Sequence, residues 1–177
     1  MPNDSIDTER LTLRQPALAD FADSLAMWSS PEVARYISGR PSTREEVWAR
    51  LLRYAGLWAT LGLGYWVVRE RATGRYLGEV GFGDFRRDIV PPLDGIPEMG
   101  WVLDPRAHGR GYATEAVRAG LAWAHENLPR AADGSPGRIV AIIHPDNAPS
   151  IRVAEKCGFR RGADAIYKHE LTLVFER

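Results

Sequence analysis

The 177 residues suffice for one globular domain, and with 45% of them hydrophobic that domain has material for a core. Lysine plus arginine number 23 and aspartate plus glutamate 23, a formal net charge of zero that favours neither nucleic acid nor an anionic membrane, so neither is expected as a partner. A single cysteine, Cys157, excludes an internal disulfide framework, and His108, His125, His144 and His169 stand at no metal-ligand spacing, so no metal is expected.

Residues 1–10 are polar and acidic and no apolar run reaches membrane-spanning length, which together with the lone cysteine leads to the expectation of a soluble, cytoplasmic protein. Residues 10–14 alternate polar and apolar as a half-buried strand does. Leu18, Phe21, Leu25 and Trp28 then recur at helical intervals, Ser30-Pro31 breaks that helix, and residues 32–37 form a second short piece. Ser42 precedes Glu45, and Thr43 precedes Glu46, by three residues, so either pair can form the capping box of a long helix. Its inner face is Val47, Leu51, Tyr54, Ala55 and Trp58, and Gly62 stops it.

Residues 65–70 and 76–85 are expected to be strands joined at Thr73-Gly74, followed by a loop over 86–96 rich in Pro and Asp. Residues 98–103 form another strand, and a helix follows whose inner face is Ala113, Ala116, Val117, Gly120, Leu121, Ala124 and Leu128. A buried strand is expected over 138–144, then a helix capped by Asn147 that runs to Cys157 and ends at Gly158, then strands around 159–167 and 169–175. Strands dominate early and alternate with helices later, the pattern of an α/β fold with a mixed sheet between helices.

The chemistry concentrates between Glu98 and Ala116, where Gly109 and Gly111 lie in a turn from strand to helix. Glycine allows close backbone approach, and the free N–H groups at a helix start suit a pyrophosphate. A dinucleotide fingerprint is excluded because Thr114 stands at its third glycine, and no G-K-[ST] of a P-loop occurs.

Arg106-x-x-Gly109-x-Gly111-x-Ala113 resembles the phosphate loop of the GNAT acetyltransferase superfamily, and Asn147-x-x-Ser150 through Glu155-Lys156-Cys157-Gly158-Phe159 is similar to the helix that follows in that family. The stretch from Asp104 through Ala116 looks closest to the ribosomal-protein N-terminal acetyltransferase branch. The resemblance implies one domain over 1–177 with a mixed, mostly antiparallel sheet of six to seven strands and helices on both faces. It implies acetyl-CoA as co-substrate and a primary amine as acceptor, in a protein that is a monomer or a homodimer. It places the pantetheine arm along Trp101, Val102 and Leu103, the pyrophosphate on Arg106, His108, Gly109, Arg110, Gly111, Tyr112, Ala113 and Thr114, and further coenzyme contacts on Asn147, Ser150 and Lys156.

Direct transfer requires an acceptor for the ammonium proton. Glu98, on the face of its strand shared with Gly100 and Val102, is the first choice of base. Glu79, among small residues, is its competitor. Alternatively Glu98 pairs with an arginine such as Arg69, and Glu79 forms an edge salt bridge. The tyrosine that many relatives place before the Gly-Phe pair is missing here, so Ser150 takes the role of donor to the leaving thiolate. Trp28, Tyr36, Trp48, Tyr54, Trp58 and Tyr65 lie in the half that forms the family's acceptor pocket, and Asp84, Asp88 and Asp94 offer a local acidic cleft. The other reading is a non-catalytic acyl-CoA sensor, which keeps the phosphate loop without needing Glu98, Glu79 or Ser150.

Overall fold

A computed structural model describes residues 5–177. In chain order it has β1 (Ser5–Asp7), β2 (Leu11–Arg14), α1 (Phe21–Trp28), α2 (Pro31–Ala34), α3 (Arg44–Leu61), β3 (Tyr65–Glu70), β4 (Tyr76–Gly83), β5 (Ile89–Val90), β6 (Glu98–Leu103), α4 (Tyr112–Asn127), β7 (Val140–Ile143), α5 (Ala148–Lys156), β8 (Arg160–Arg161), β9 (Ala165–Tyr167) and β10 (Glu170–Glu176). The strands form one sheet in the order β1-β2-β3-β4-β6-β7-β10-β9-β5, with β8 on β10. Neighbours run antiparallel except β6 and β7, which are parallel.

The sheet therefore has ten strands where six to seven are expected. The surplus includes β1, β5 and β8, ladders of two or three residues too short to carry a readable period. One of them, β5, falls inside the stretch expected to be loop, and it pairs with β9 through Ile89↔Tyr167 and Val90↔Ile166.

Helix α3 starts where Thr43 and Glu46 form the reciprocal box, Glu46 N–H to Thr43 Oγ1 at 3.2 Å and Thr43 N–H to Glu46 Oε2 at 2.8 Å. It ends at Gly62, whose φ of 67° only glycine adopts without strain. Its buried face is Val47, Leu51, Tyr54 and Leu57; Ala55 is exposed, so the expected stripe is corrected by one position toward Leu57. Each fully buried aliphatic of this face contributes about 1.5–3 kcal/mol and a cap about 1 kcal/mol, so packing holds the helix and the cap sets where it begins.

Helices cover both faces. On one, Ala116, Val117, Leu121 and Ala124 of α4 and Ala154 of α5 pack on Trp66, Val80, Phe82 and Met99. Gly120 brings α4 close to the sheet there: a Cβ would come within 2.9 Å of Met99 Cε, so the Met99 side chain would have to shift. On the other, Met27, Trp28 and Val47 meet Val67 and Tyr76. Because strand side chains alternate, Met99 and Trp101 of β6 belong to the α4 face, while Glu98, Gly100 and Val102 look toward α1 and α3.

Candidate active site

Strand β6 is zipped to β4 along its whole length, from Gly78↔Leu103 to Gly83↔Glu98. To β7 it is joined only at Glu98↔Val140, beside the Val140 N–H to Pro97 carbonyl bond of 3.0 Å. Beyond that pair the two strands part, and a cavity of about 1080 Å³ opens there. Trp101 and Val102 of β6, Ile142 and Ile143 of β7, and Asn147 and Ser150 of α5 form one end of it.

The same strand leads into the glycine loop. Gly109 and Gly111 take φ of 74° and 77°, and Gly111 stands at the N-cap of α4 with no side chain capping the helix. Among the described residues, the amides of Gly109 through Thr114 donate to no protein acceptor. The positive end of a helix dipole thus presents a run of uncommitted donors, which is an anion site. The cavity's lining stops short of this loop, whose Gly109, Arg110 and Gly111 are exposed.

Side chains around the loop depart from expectation. Arg106 folds back on Asp104, with Nε at 2.9 Å and Nη2 at 2.8 Å, so its guanidinium is committed within the loop. That hydrogen bonding holds the Asp104 carboxyl below the ordinary range. His108 rests its Nε2 3.0 Å from the Leu103 carbonyl, away from the free amides. Tyr112 is buried in the core with its hydroxyl donating to Glu70 at 2.5 Å, leaving only its backbone for a ligand. Arg110 remains exposed, 3.7 Å from Glu70 and over the Tyr112 ring. Arg10 braces the loop through the Arg110 carbonyl at 2.9 Å. The end of α5 lies beside the first turns of α4, where Arg118 donates to the Lys156 carbonyl at 2.9 Å and Cys157 Sγ lies 3.7 Å from the Thr114 carbonyl. Exposed Lys156 therefore borders the loop, while Cys157 is a core residue.

The two carboxylates part company. Glu98 lines the cavity and is gripped by Arg87, Nε to Oε2 at 2.7 Å and Nη2 to Oε1 at 2.8 Å. The partner is Arg87 and not Arg69, which pairs with Asp20 and Asp23. Burial disfavours the Arg87 charge, but the Glu98 bonds outweigh it and raise its pKa further above the ordinary arginine value. Arg87 also donates to the Tyr167 hydroxyl at 3.0 Å. The pairing of β5, which falls in the stretch expected to be loop, with β9 brings Ile89 opposite Tyr167, and Arg87 reaches both Glu98 and the Tyr167 hydroxyl.

Glu79, 2% exposed, lies outside the cavity lining. Ser24 and Tyr76 donate to its Oε1 at 2.6 and 2.8 Å, and Trp28 and Tyr54 to its Oε2 at 3.0 and 3.1 Å. No cation touches it among the described residues, so the expected edge salt bridge is corrected to a buried carboxylate filled by four neutral donors. That arrangement leaves no lone pair for a substrate and ties α1, α3 and β4 together.

Tyr65, one of the aromatics expected in the acceptor half, takes a position beside Glu98's strand that the sequence reading did not specify. Its hydroxyl occupies the space over Gly100, 2.1 Å from where a Cβ would stand, and faces the cavity. Burial, helped by the Glu98 charge, pushes its pKa well above the ordinary tyrosine value, so it stays a hydrogen-bond donor. The signal was Gly81 paired with Gly100 on adjacent strands, which leaves room for a ring. Of the expected aromatics, Trp28, Tyr36, Tyr54 and Tyr65 line the cavity, and Trp48 and Trp58 do not. Ser150 lines the cavity with its hydroxyl free of protein partners among the described residues, while Asn147 Oδ1 accepts its amide at 3.3 Å.

A family model described as "Acetyltransferase (GNAT) domain" matches residues 10–160. YkkB, an uncharacterized protein of Bacillus subtilis (strain 168), is 30% identical over 177 residues that span 96% of this chain and 93% of YkkB. The uncharacterized N-acetyltransferase p20 of Bacillus licheniformis is 29% identical over 161 residues, 89% of this chain and 83% of its own. Among solved structures, a Bordetella pertussis protein assigned to the GnaT family of acetyltransferases is 32% identical, with a TM-score of 0.83 over 98% of each chain.

Proposed function

We propose, given that the chain belongs to the GNAT family of acetyltransferases, that it carries the acetyl group of acetyl-CoA directly to a primary amine in a ternary complex. The observation that carries the proposal is the parting of β6 and β7 beside an uncapped helix start, with Glu98 on the cavity wall. The free amides of residues 109–114, with Arg110 and Lys156 near them, receive the pyrophosphate. The pantetheine arm lies along Trp101, Val102 and Leu103, whose strand has no partner on that side beyond Glu98.

Transfer forms one C–N bond and breaks the thioester C–S bond. The amine loses a proton, the thiolate gains one, and the oxygen of the tetrahedral intermediate needs donors. Glu98 receives the amine proton through a water, on the lone pair that each oxygen keeps beside its one Arg87 bond. Ser150 supplies the hydrogen bond to the thiolate. Glu79, sealed in its network, is a positioning residue for Trp28 and Tyr54. The cytoplasm, where acetyl-CoA is made and spent, is the proposed setting. A protein N-terminus, as in the ribosomal-protein branch, and a small molecule both remain within this reading.

The test is release of free CoA thiol from acetyl-CoA with a panel of peptides, polyamines and aminoglycosides, run beside calorimetry with CoA. Acetyl transfer requires amine-dependent thiol release. Heat from CoA binding without turnover would replace the transferase reading with an acyl-CoA sensor.

A further inference from the structure

The cavity wall supplied by α3 carries charge of one sign. Arg50 and Arg53, one helical turn apart, both line the cavity. Neither is held by a carboxylate among the described residues; the Arg50 guanidinium carbon lies 3.5 Å from the Trp28 ring centroid, and that of Arg53 5.5 Å from the Phe85 centroid. Arg50 Nε is buried with no hydrogen-bond acceptor. Aromatic planes hold these guanidiniums in place and leave their N–H edges uncommitted.

The nearby acids are already engaged. Glu46, one turn before Arg50, pairs with Arg40 at 2.5 Å. The oxygens of Glu79, beneath Trp28, are filled by four neutral donors. Asp84 pairs with Arg86 at 3.0 Å, and Glu98 with Arg87 at 2.7 Å, so the acidic cleft expected around residues 84–94 is largely neutralised. Asp88 and Glu170 line the cavity from the 86–96 loop and β10, and Lys168 lines it as well. The reactive end is close to the arginines, because the Phe85 ring that carries Arg53 also carries Arg87, 4.6 Å from its centroid. One ring thus separates an anion-seeking group from the Arg87–Glu98 pair.

We infer that the acceptor is a small amine bearing an anionic group, carboxylate or phosphate, which Arg50 and Arg53 bind while the amine is directed at Glu98. The inference rests on the transfer reading above and narrows its acceptor. A guanidinium fork matches either anion with two parallel hydrogen bonds. A polyamine would bring its charges against two unneutralised arginines. Trp28, Tyr54, Tyr65 and Phe85 supply apolar walls for the body of the molecule.

Matched amines isolate the anion: phenylalanine against phenethylamine, and phosphoethanolamine against ethanolamine, with spermidine as the polycation. Calorimetry on the CoA-saturated protein reads binding, and thiol release from acetyl-CoA reads turnover. The expected result is tighter binding of the anionic member of one pair, by roughly tenfold to a hundredfold; which pair tells carboxylate from phosphate. Arg50→Gln and the more exposed Arg53→Gln each erase most of that margin, the loss falling on the anionic amine far more than on the neutral one. Equal binding within both pairs, binding of none, tighter binding of spermidine, or equal losses for neutral and anionic amines in both variants would each overturn the assignment. An anionic preference without thiol release supports the anion site and removes acetyl transfer. Thiol release driven equally by neutral amines removes the anion site and keeps transfer.

Discussion

Glu98 and Glu79 stand on adjacent strands and share one face of the sheet, opposite Gly83 and Val102 respectively, yet their surroundings assign them different work. Glu98 meets the cavity and Glu79 meets only protein. Glu98→Gln is expected to lower kcat by about 10²–10⁴ with little change in KM for acetyl-CoA, as loss of a proton acceptor does, measured by steady-state thiol release. Glu79→Gln leaves one oxygen where two had stood and turns an NH₂ toward two of the four donors. Its cost is about 1–3 kcal/mol for each donor pair left unmatched, read by urea unfolding, with kcat falling only as far as Trp28 and Tyr54 shift. Sequence put Glu98 ahead of Glu79 without the contacts that give them different surroundings, because Arg87, Ser24, Trp28 and Tyr54 are all distant from them along the chain. Cys157 is a small core residue: burial raises its thiol pKa, countered in part by Arg118. The native protein should react slowly with a thiol reagent at neutral pH and completely once unfolded.

At the scale of elements, the helices were legible because each carries its own punctuation. The Thr43–Glu46 box, Gly62, Asn147 and Gly158 are all where the chain reads them. Thr43→Ala is accordingly expected to cost about 1 kcal/mol in thermal or urea unfolding and to leave CoA binding untouched. Gly111 has the opposite profile. Its φ of 77° places a Cβ in a region that costs about 1–2 kcal/mol, and Gly111→Ala should either strain α4 or turn its first amides aside. Weakened CoA binding by calorimetry, at a modest loss of stability, is the expected outcome. The strand expected around 159–167 is two, β8 and β9, parted at residues 162–164, whereas the turn at Lys168 and His169, both in left-handed conformations, divides β9 from β10 where two strands were expected. The roles expected of Arg106, His108 and Tyr112 were carried by motif position alone, and the side chains turn instead to Asp104, Leu103 and Glu70.

At the scale of the molecule, long-range ion pairs sew the early segments to the sheet. Asp20, fully buried, accepts from Arg14 at 2.7 Å and from Arg69 at 2.7 Å. Burial alone would raise its pKa, but the bonds from Arg14, Arg69 and the Ala17 amide prevail and leave it below the ordinary value of 3.8. A depressed carboxyl pKa in the folded state means that the stabilisation is present above the unfolded value and is lost as pH falls through the folded one. Unfolding midpoints should therefore drop below about pH 4, and Asp20→Asn should flatten that acid limb while lowering stability at neutral pH.

The single rung between β6 and β7 makes the molecule two half-sheets sharing one edge, β1 through β6 by way of β4 on one side, and β7 with β10, β9, β8 and β5 on the other. A chain-like co-substrate laid in that gap acts as a splint, lending backbone partners to both margins at once. Occupancy should then be felt far from the coenzyme: amide hydrogens of β7 and the outer half-sheet would exchange more slowly, and the thermal midpoint would climb with the logarithm of CoA concentration. By this account the protein is stiffest when it is loaded, and releasing the spent thiol means loosening the sheet itself.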